Sequence, residues 1–441
     1  MKKATLEATD ENILQSIQEQ TGTARNTEIM EFIKALDLIE ENVFISLDAR
    51  WGEGKTFYVR QIEKTLEYQT LKKFGTDDNK NKYEEMKPYF EKTVLEDIKL
   101  ENSYLPVYYN AWLYDNHSDP LMSLLYVIIK KCGLWIDSKL VKDKTDKLKD
   151  IIKSIQVNLG IFSINGDKVI DAFSEKNIFE DIQLAEDIRK SVKEIFNQVI
   201  EEQTQKLVIF IDELDRCKPS YALEMLERIK HYFDDNRIIF IVSVNKEQLT
   251  HTISNYYGNG FDSTGYLNKF FDYEIYLPPV QTIDKTIGNS NINQYWLRTI
   301  SNALVKYYRL SLRDTLIFKQ RIEQFKDDEM IFNNNLHFSA RGYCMSLFIP
   351  LLIVLQMKDI EEARKFEDGE SELFEILENI PEVKEYFDAY GDNGFEKIKA
   401  VYKFVFKEEN ESILKKVNLG IADVGRNVKK ECFRQMGLRN I

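Results

Sequence analysis

The sequence is poor in cysteine, proline and histidine. It has 4 cysteines, 8 prolines and 4 histidines in 441 residues. The cysteines lie far apart with no Cys-x-x-Cys pair, which argues against a disulfide framework and a cysteine zinc site and favours a reducing compartment. No two histidines have the helical spacing of metal ligands. We therefore expect neither a disulfide scaffold nor a histidine metal site.

Long apolar runs are also missing. The longest apolar stretch, residues 344–355, contains Ser346 and Pro350 and is shorter than the ~20 residues that cross a bilayer. The first residues turn acidic before any apolar segment begins, so no secretory signal is predicted. We expect a cytoplasmic protein without a membrane span, in which residues 344–355 form a buried core helix.

The charge balance is acidic. The chain has 73 Asp and Glu against 60 Lys and Arg, a net charge of −13. This argues against non-specific nucleic-acid binding through the field of the whole protein but leaves a local basic groove possible. The apolar content of 43% is ordinary for a globular protein, and the length predicts two or three domains.

Apolar segments that alternate with helical ones predict an α/β fold. Strands are expected near residues 43–47, 104–109, 206–213 and 237–245. The last two lack in-and-out alternation, as parallel strands covered on both faces do. The pattern predicts a doubly wound parallel sheet with ligands at the carboxyl ends of the strands.

The domain organisation follows from where strand signals stop. Residues 1–284 are predicted to form the α/β core, with charged helical insertions at about 70–102 and 130–205. From residue 285 to 441 the pattern is helical. We expect this region to act as a helical lid or a partner-binding domain.

A phosphate-binding loop is predicted directly after the first strand. Residues 49–56 match the motif G-x-x-x-x-G-K-[ST] at Gly54, Lys55 and Thr56, whereas Ala49 replaces the first glycine. Backbone N–H groups of such a loop converge on phosphate oxygens at the positive end of a helix. Lys55 would neutralise the β/γ-phosphates and Thr56 would help hold Mg²⁺. The candidate nucleotide contacts are Arg50, Trp51, Gly52, Glu53, Gly54, Lys55, Thr56 and Phe57.

Two acids end the third predicted strand. Asp212 is placed to hold Mg²⁺ through water, and Glu213 is placed to polarise the water that attacks the γ-phosphate. The alternative is a solvated strand end, or a cap for the helix that starts near Pro219. The presence of Gly-Lys-Thr after an earlier strand favours the functional interpretation.

Arg216 follows these acids and leaves three roles open. It is a candidate phosphate contact, an arginine finger for a neighbouring subunit, or a partner of Asp215 or Asp212.

These motifs together resemble the KAP family of P-loop NTPases. The shared features are Trp-Gly-x-Gly-Lys-[Ser/Thr], Asn-Ala-Trp, and an acidic Asp-[Asp/Glu]-Leu-Asp-Arg-Cys-x-Pro box. The resemblance extends over about residues 25–356. The matching segments are 51–56, 110–112, 211–219, 247–249, 256–258, 266–271 and 339–341.

The resemblance implies an additional-strand P-loop fold and further site residues. Asn245 takes a sensor position where family members often have Asp, or else caps the next turn. Arg341 would be a second sensor, or else a surface arginine. Lys269 would act in trans or pair with Asp272. Trp112 is expected to pack below the nucleotide site.

The expected function is a Mg²⁺-dependent ATPase that drives conformational switching or assembly with a partner effector. A soluble bacterial KAP protein of this type resembles components of anti-phage defence systems, in which the ATPase acts with a partner effector. ATP rather than GTP is implied by the resemblance alone. A nucleotide-gated interaction module with little turnover is an alternative, and a DNA-acting loader-type ATPase is another, disfavoured by charge. The expected partners are the nucleotide and either further copies of the chain, in a homo-oligomer, or a partner effector protein.

Overall fold

The protein divides into two compact units in the computed structural model. The described residues between 7 and 277 form the first unit, and those between 292 and 418 form the second. The structure describes residues 7–19, 25–117, 119–135, 190, 193–194, 197, 204–258, 260–277, 292–323, 343–389, 391, 393–407 and 412–418.

A sheet of five parallel strands forms the centre of the first unit. Its order is β2-β3-β4-β1-β5. β4 therefore lies between the strand that precedes the glycine turn and the strand that ends in acids, which confirms the additional-strand arrangement. The strands are β1 (Val43–Asp48), β2 (Tyr104–Asn110), β3 (Lys206–Asp212), β4 (Ile238–Val244) and β5 (Tyr273–Tyr276).

The register brings polar strand ends to one edge of the sheet. Asn110 of β2 is level with Asp212 of β3, and Asp212 is level with Ser243 of β4. Asp48 of β1 is level with Val244. Because all the strands run in the same direction, the residues that follow them meet at this carboxyl edge.

Helices cover both faces of the sheet. Alternate residues of β3 enter two separate cores: Leu207 and Ile209 pack on one face, and Val208 and Phe210 on the other. Burial on both faces explains why this strand shows no alternation in the sequence. The helices of this unit are α1 (Asp10–Glu19), α2 (Asn26–Asp37), α3 (Lys55–Phe74), α4 (Lys80–Phe90), α5 (Ala111–Tyr114), α6 (Pro120–Trp135), α7 (Pro219–Tyr232), α8 (Lys246–Tyr257) and α9 (Ser263–Asn268).

The segment at about 70–102, expected as a charged helical insertion, is partly buried in the core of this unit. α3 continues to Phe74, and Phe90, Leu95 and Leu100 are buried in the core beneath α3. Their apolar side chains are widely spaced among charged residues, which hides the pattern in the sequence. The insertion expected at 130–205 lies mostly outside the described residues.

All the regular secondary structure among the described residues of the second unit is helical. One core joins its helices, and residues 344–355, expected to be a buried core helix, lie at its centre as a π-helical turn (Cys344–Phe348) and α12. Along the described parts of the chain no helix is both long and apolar enough to cross a membrane. The helices are α10 (Ile292–Tyr307), α11 (Leu312–Glu323), α12 (Ile349–Lys358), α13 (Ile360–Glu367), α14 (Leu373–Leu377), α15 (Pro381–Asp388), α16 (Gly394–Phe406) and α17 (Ser412–Lys415).

Candidate functional site

The turn after β1 has the backbone conformation of an anion-binding loop. Gly52 and Gly54 have φ of 85° and 87°, in the left-handed region that side chains other than glycine seldom adopt. Gly54 is the residue that precedes α3, whose helical residues begin at Lys55. The turn therefore delivers the chain to the positive end of a 20-residue helix, where backbone N–H groups are free to bind an anion.

Ala49, which replaces the first glycine of the motif, is compatible with the conformation of this loop. Its backbone lies outside the left-handed region, and its N–H donates to the carbonyl of Val244 at 3.2 Å. The methyl group thus occupies a position where φ is ordinary for any residue. The departure from the sequence motif at this position leaves the geometry of the turn intact.

Lys55 lies folded against the loop. Its side chain is 9% exposed, and its Nζ donates to the carbonyl oxygens of Ala49 at 2.5 Å and Arg50 at 3.4 Å. Burial lowers the pKa of Lys55, while the nearby carboxylates, Asp215 first and then Asp212, oppose that shift. A buried ammonium near the loop is placed to exchange these carbonyls for phosphate oxygens.

The acids after β3 lie beside this loop. The Thr56 hydroxyl donates to Oε1 of Glu213 at 3.4 Å, although 157 residues separate the two in sequence. Asp212 is 1% exposed and accepts from the Tyr108 hydroxyl and from the Glu213 N–H, each at 3.0 Å. The structure thus brings together the hydroxyl and the two carboxylates that the sequence predicted for one site.

Glu213 has an unusual backbone and an unusual charge environment. Its φ is 62°, in the left-handed region. Burial and the neighbouring Asp212 raise the pKa of its carboxyl group, and Arg216 opposes the shift. Nη1 of Arg216 lies 2.6 Å from Oε2 of Glu213. A carboxyl group with a raised pKa accepts a proton more readily, as a general base must.

Arg216 pairs with Glu213 rather than with Asp215 or Asp212. Its guanidinium also lies 5.5 Å from the ring of Trp112, which is 52% exposed and so does not pack below the site as expected. Asp215 accepts instead from the indole N–H of Trp51 at 2.5 Å. Trp51 of the phosphate loop and Trp112 of the Asn-Ala-Trp motif therefore contact Asp215 and Arg216 of the acidic box.

Three further residues had two alternative roles in the sequence analysis. Asn245 is 5% exposed and caps α8, accepting from the N–H of Gln248 at 3.2 Å. Lys269 is exposed, and its expected partner Asp272 accepts from the N–H of Phe44 and lies 3.5 Å from Lys230. Arg341 lies outside the described residues.

The remaining loop residues differ in exposure. Arg50 is exposed, and its carbonyl accepts from the Glu53 N–H at 3.3 Å. Phe57 is half-buried on the first turn of α3. These positions do not indicate that the side chains of Arg50 and Phe57 contact phosphate directly.

Sequence reasoning missed two residues at the same sheet edge. Asp48 ends β1, and its Oδ1 accepts from the N–H of Lys246 at 2.9 Å, which ties the loop strand to the start of α8. Tyr108 in β2 holds Asp212. Asp48 had a signal, since it follows an apolar run as Asp212 does. Tyr108 had none, because its hydroxyl acts across a neighbouring strand.

Comparison with known proteins assigns the family. Residues 23–301 match the profile of the KAP family P-loop domain. The chain belongs to the KAP family. Its P-loop domain implies nucleotide binding, and that matched span includes the loop, the acidic strand end and α8.

The sequence of an uncharacterized protein is similar to part of this KAP-family chain. It is Uncharacterized protein MJ0182 of Methanocaldococcus jannaschii, which is 29% identical over 171 residues, covering 30% of this chain and 86% of its own length.

The donor atoms at the site fit magnesium. Mg²⁺ prefers oxygen ligands and is commonly held by one or two carboxylates together with substrate phosphates. Thr56 and Asp212 provide a hydroxyl and a carboxylate beside the loop. Within the described part of the chain, no group of three or more His, Cys, Asp or Glu side chains is placed to hold a metal. Thr56 and Asp212 would thus share the ion with phosphate oxygens.

Proposed function

We propose that this KAP-family protein is a Mg²⁺-dependent ATPase. The observation that supports this most directly is the 3.4 Å contact between Thr56, on the first turn after the phosphate loop, and Glu213, after the acidic strand. This contact supports the proposal because the Glu213 carboxylate is next to a residue that would hold the phosphates and the metal. The resemblance of the motifs supports ATP as the nucleotide.

The residues of the chain divide the reaction between them. The loop N–H groups and Lys55 bind the phosphates, and Glu213 accepts a proton from a water molecule whose oxygen attacks the γ-phosphorus. The bond from the γ-phosphorus to the bridging oxygen breaks, which leaves ADP and phosphate. Thr56 and Asp212, whose carboxylate accepts a hydrogen bond from Tyr108, would hold Mg²⁺. The ion would neutralise negative charge on the phosphate oxygens.

A nucleotide-gated interaction module is the second candidate. It is supported by the ion pair between Arg216 and Glu213, because a base that is held by an arginine is not free to polarise water. In such a protein the nucleotide would bind and switch assembly with negligible turnover. Asn245, which caps α8, is consistent with this because its amide oxygen is already used.

Turnover of ATP distinguishes the two candidates. We expect Glu213→Gln to lower kcat by about 10²- to 10⁴-fold, the usual contribution of a general base. Nucleotide affinity should change little, since the side chain keeps its size. The measurement is phosphate release with Mg²⁺, beside equilibrium binding of ATP. Equal rates in wild type and variant would contradict the ATPase proposal.

The size of the protein with and without ATP completes that experiment. Assembly that depends on ATP without phosphate release would support the switch. Lys55→Ala serves as the control in both arms, because removal of its ammonium should weaken binding itself.

Assembly with a partner effector in anti-phage defence is supported by the resemblance to members of such systems. Co-purification from the native host, with mass spectrometry of bound protein and nucleotide, tests it. A DNA-acting role has the acidic charge against it. Salt-dependent DNA affinity at physiological ionic strength would support that role instead.

A further inference from the structure

Arg25 is a buried arginine behind the phosphate loop. It directly precedes α2, is 8% exposed, and its Nη2 donates to the carbonyl oxygen of Glu53 at 3.3 Å. Sequence motifs do not point to it, because it lies well before β1. The structure nevertheless places it against the residue between the two glycines of the loop.

The surroundings of Arg25 hold the side chain in place but leave a donor free. Its guanidinium lies 5.8 Å from the ring of Tyr58, a residue of α3 that is 4% exposed. Nη1 is buried and has no acceptor among the described residues. Burial lowers the pKa of Arg25, and the carboxylate of Glu28 opposes this more than any other group. Burying a cation with an unused donor destabilises the folded state, so packing alone does not explain why an arginine occupies this position.

The geometry of the peptide bond gives that explanation. In a trans peptide the C=O and the following N–H point in opposite directions. The Glu53 carbonyl points towards Arg25, so the N–H of Gly54 points away from Arg25. Gly54 is the last residue before α3, where N–H groups that face outward can meet an anion. Fixing the carbonyl therefore fixes a donor on the opposite side of the loop.

Arg25 is itself anchored to the rest of the unit. The side chain of Asn26, the next residue, donates to the carbonyl of Ile17 in α1 at 2.9 Å. The N–H of Ile29 donates to the carbonyl of Arg25 at 2.8 Å, as the first helical bond of α2. These hydrogen bonds fix the backbone at Arg25, so its guanidinium can hold the Glu53 carbonyl in place.

We propose that Arg25 is a positioning residue of the nucleotide site, which orients the Gly54 N–H for the phosphates of a nucleoside triphosphate through the Glu53 carbonyl. This rests on the proposed nucleotide binding. A preorganised loop binds phosphate without a cost of ordering its backbone. The residue acts through the loop, so it should affect nucleotide affinity and not the chemical step.

Substitution of Arg25 tests the proposal. We expect Arg25→Met to raise the Kd and the KM for MgATP by about tenfold, the loss of one charge-assisted hydrogen bond, with kcat within about twofold of wild type. Arg25→Lys keeps a charged donor and should recover most of the affinity. The measurements are equilibrium binding of a fluorescent ATP analogue and steady-state turnover.

A matched control separates this from general destabilisation. Arg228 is a partly buried arginine within α7 that pairs with Glu224 at 3.0 Å, and Arg228→Met should leave the Kd unchanged. Thermal unfolding without nucleotide is recorded for each variant. If Arg25→Met does not fold, Arg25→Lys and Arg25→Gln provide the comparison, with Gln expected to bind more weakly than Lys.

The failures of the two proposals are distinguishable. A wild-type protein that does not bind MgATP would overturn the proposed function and this inference with it. If wild type binds and Lys55→Ala does not, while the Arg25 variants bind as wild type does, the inference alone is overturned. A loss of kcat at unchanged KM would also overturn it, because that would assign Arg25 to the chemical step.

Discussion

At the scale of single residues, Glu213 combines three uncommon properties. It has a left-handed backbone, a raised carboxyl pKa and an arginine 2.6 Å away. A residue other than glycine in this conformation costs about 1–2 kcal/mol, and such strain persists where the surrounding structure enforces it. The conformation turns the side chain back to the loop, where Thr56 meets it.

Removal of Arg216 should change the pH dependence of turnover. Arg216 lowers the pKa of Glu213, against burial and Asp212, which raise it. In Arg216→Ala that pKa should rise further, and because a general base works when deprotonated, the acidic limb of the kcat profile should move to higher pH. Arg216→Lys keeps the charge and should shift the limb less. The measurement is kcat of each variant across acidic and neutral pH, and an unmoved limb would contradict the expectation.

The sequence predicted the presence of the site residues better than their pairing. Gly-Lys-Thr after one strand and Asp-Glu after another were sufficient to predict a common site, because parallel strands bring their ends together. The partner of Arg216 was not predictable, since three carboxylates lie within four residues of it. The left-handed backbone of Glu213 likewise leaves no trace in composition or periodicity.

At the scale of elements, α3 carries buried charge along its length. Glu67 is fully buried and lies 2.8 Å from Nζ of Lys82 in α4 and 3.1 Å from Nζ of Lys131 in α6. Burial alone would raise the pKa of Glu67, but Lys131, Lys64 and Lys82 together lower it to about 2. The helix that follows the phosphate loop is thus fixed to two neighbours by ion pairs as well as by apolar packing.

Loss of the Glu67 carboxylate should destabilise the fold. We expect Glu67→Gln to lower the free energy of unfolding by about 3–5 kcal/mol at neutral pH, because Lys64 and Lys131, whose side chains are only 9% and 17% exposed, each lose a fully buried carboxylate partner. The folded pKa lies below the ordinary value of 4.5, so this stabilisation is present above about pH 4.5 and is lost as pH falls towards 2. The difference between variant and wild type should shrink over that range.

Denaturant unfolding at several pH values measures this effect. Glu91→Gln is the control, since Glu91 pairs with Lys87 at 3.9 Å and both side chains are exposed; its effect should stay below about 1 kcal/mol. An equal effect of the two substitutions at neutral pH would show that the buried ion pairs do not stabilise α3.

The strands of the sheet were predictable to different degrees. Four buried strands have continuous apolar sequences, and all four were expected. The short edge strand β5 was missed, because Tyr273 and Tyr276 are exposed and Glu274 interrupts the apolar pattern. Its pairing with β1 comes from tertiary contact and not from local sequence preference.

At the scale of the whole molecule, each unit has its own hydrophobic core. The first is built around the sheet, and the second around α12 and its helical neighbours. The sequence predicted a change from α/β to helical structure at residue 285, near the division that the contacts give. The division into 1–284 and 285–441 remains our proposal for the folding domains.

Calorimetry should resolve the two units. We expect two unfolding transitions, and MgATP at about 100 times its Kd should stabilise the first unit by about 2.7 kcal/mol and leave the second unmoved. Leu352→Ala, in the core of the second unit, should lower the unfolding free energy of that unit by about 2–5 kcal/mol. The transition that moves to lower temperature in this variant is therefore assigned to the second unit. Lys55→Ala should abolish the shift. Equal movement of both transitions with MgATP would contradict separate units.

The adjacency of β2 and β3 has a consequence for how this chain tolerates changes of length. The two strands pair in register from Tyr104 with Lys206 to Asn110 with Asp212, so the ends of the long connection between them are fixed by the sheet. The closure entropy of a flexible connection grows only with the logarithm of its length, and halving one changes it by about 0.6 kcal/mol. Insertions and deletions between β2 and β3 should therefore have little effect on the placement of Asp212 and Glu213, as long as the two strands keep this register.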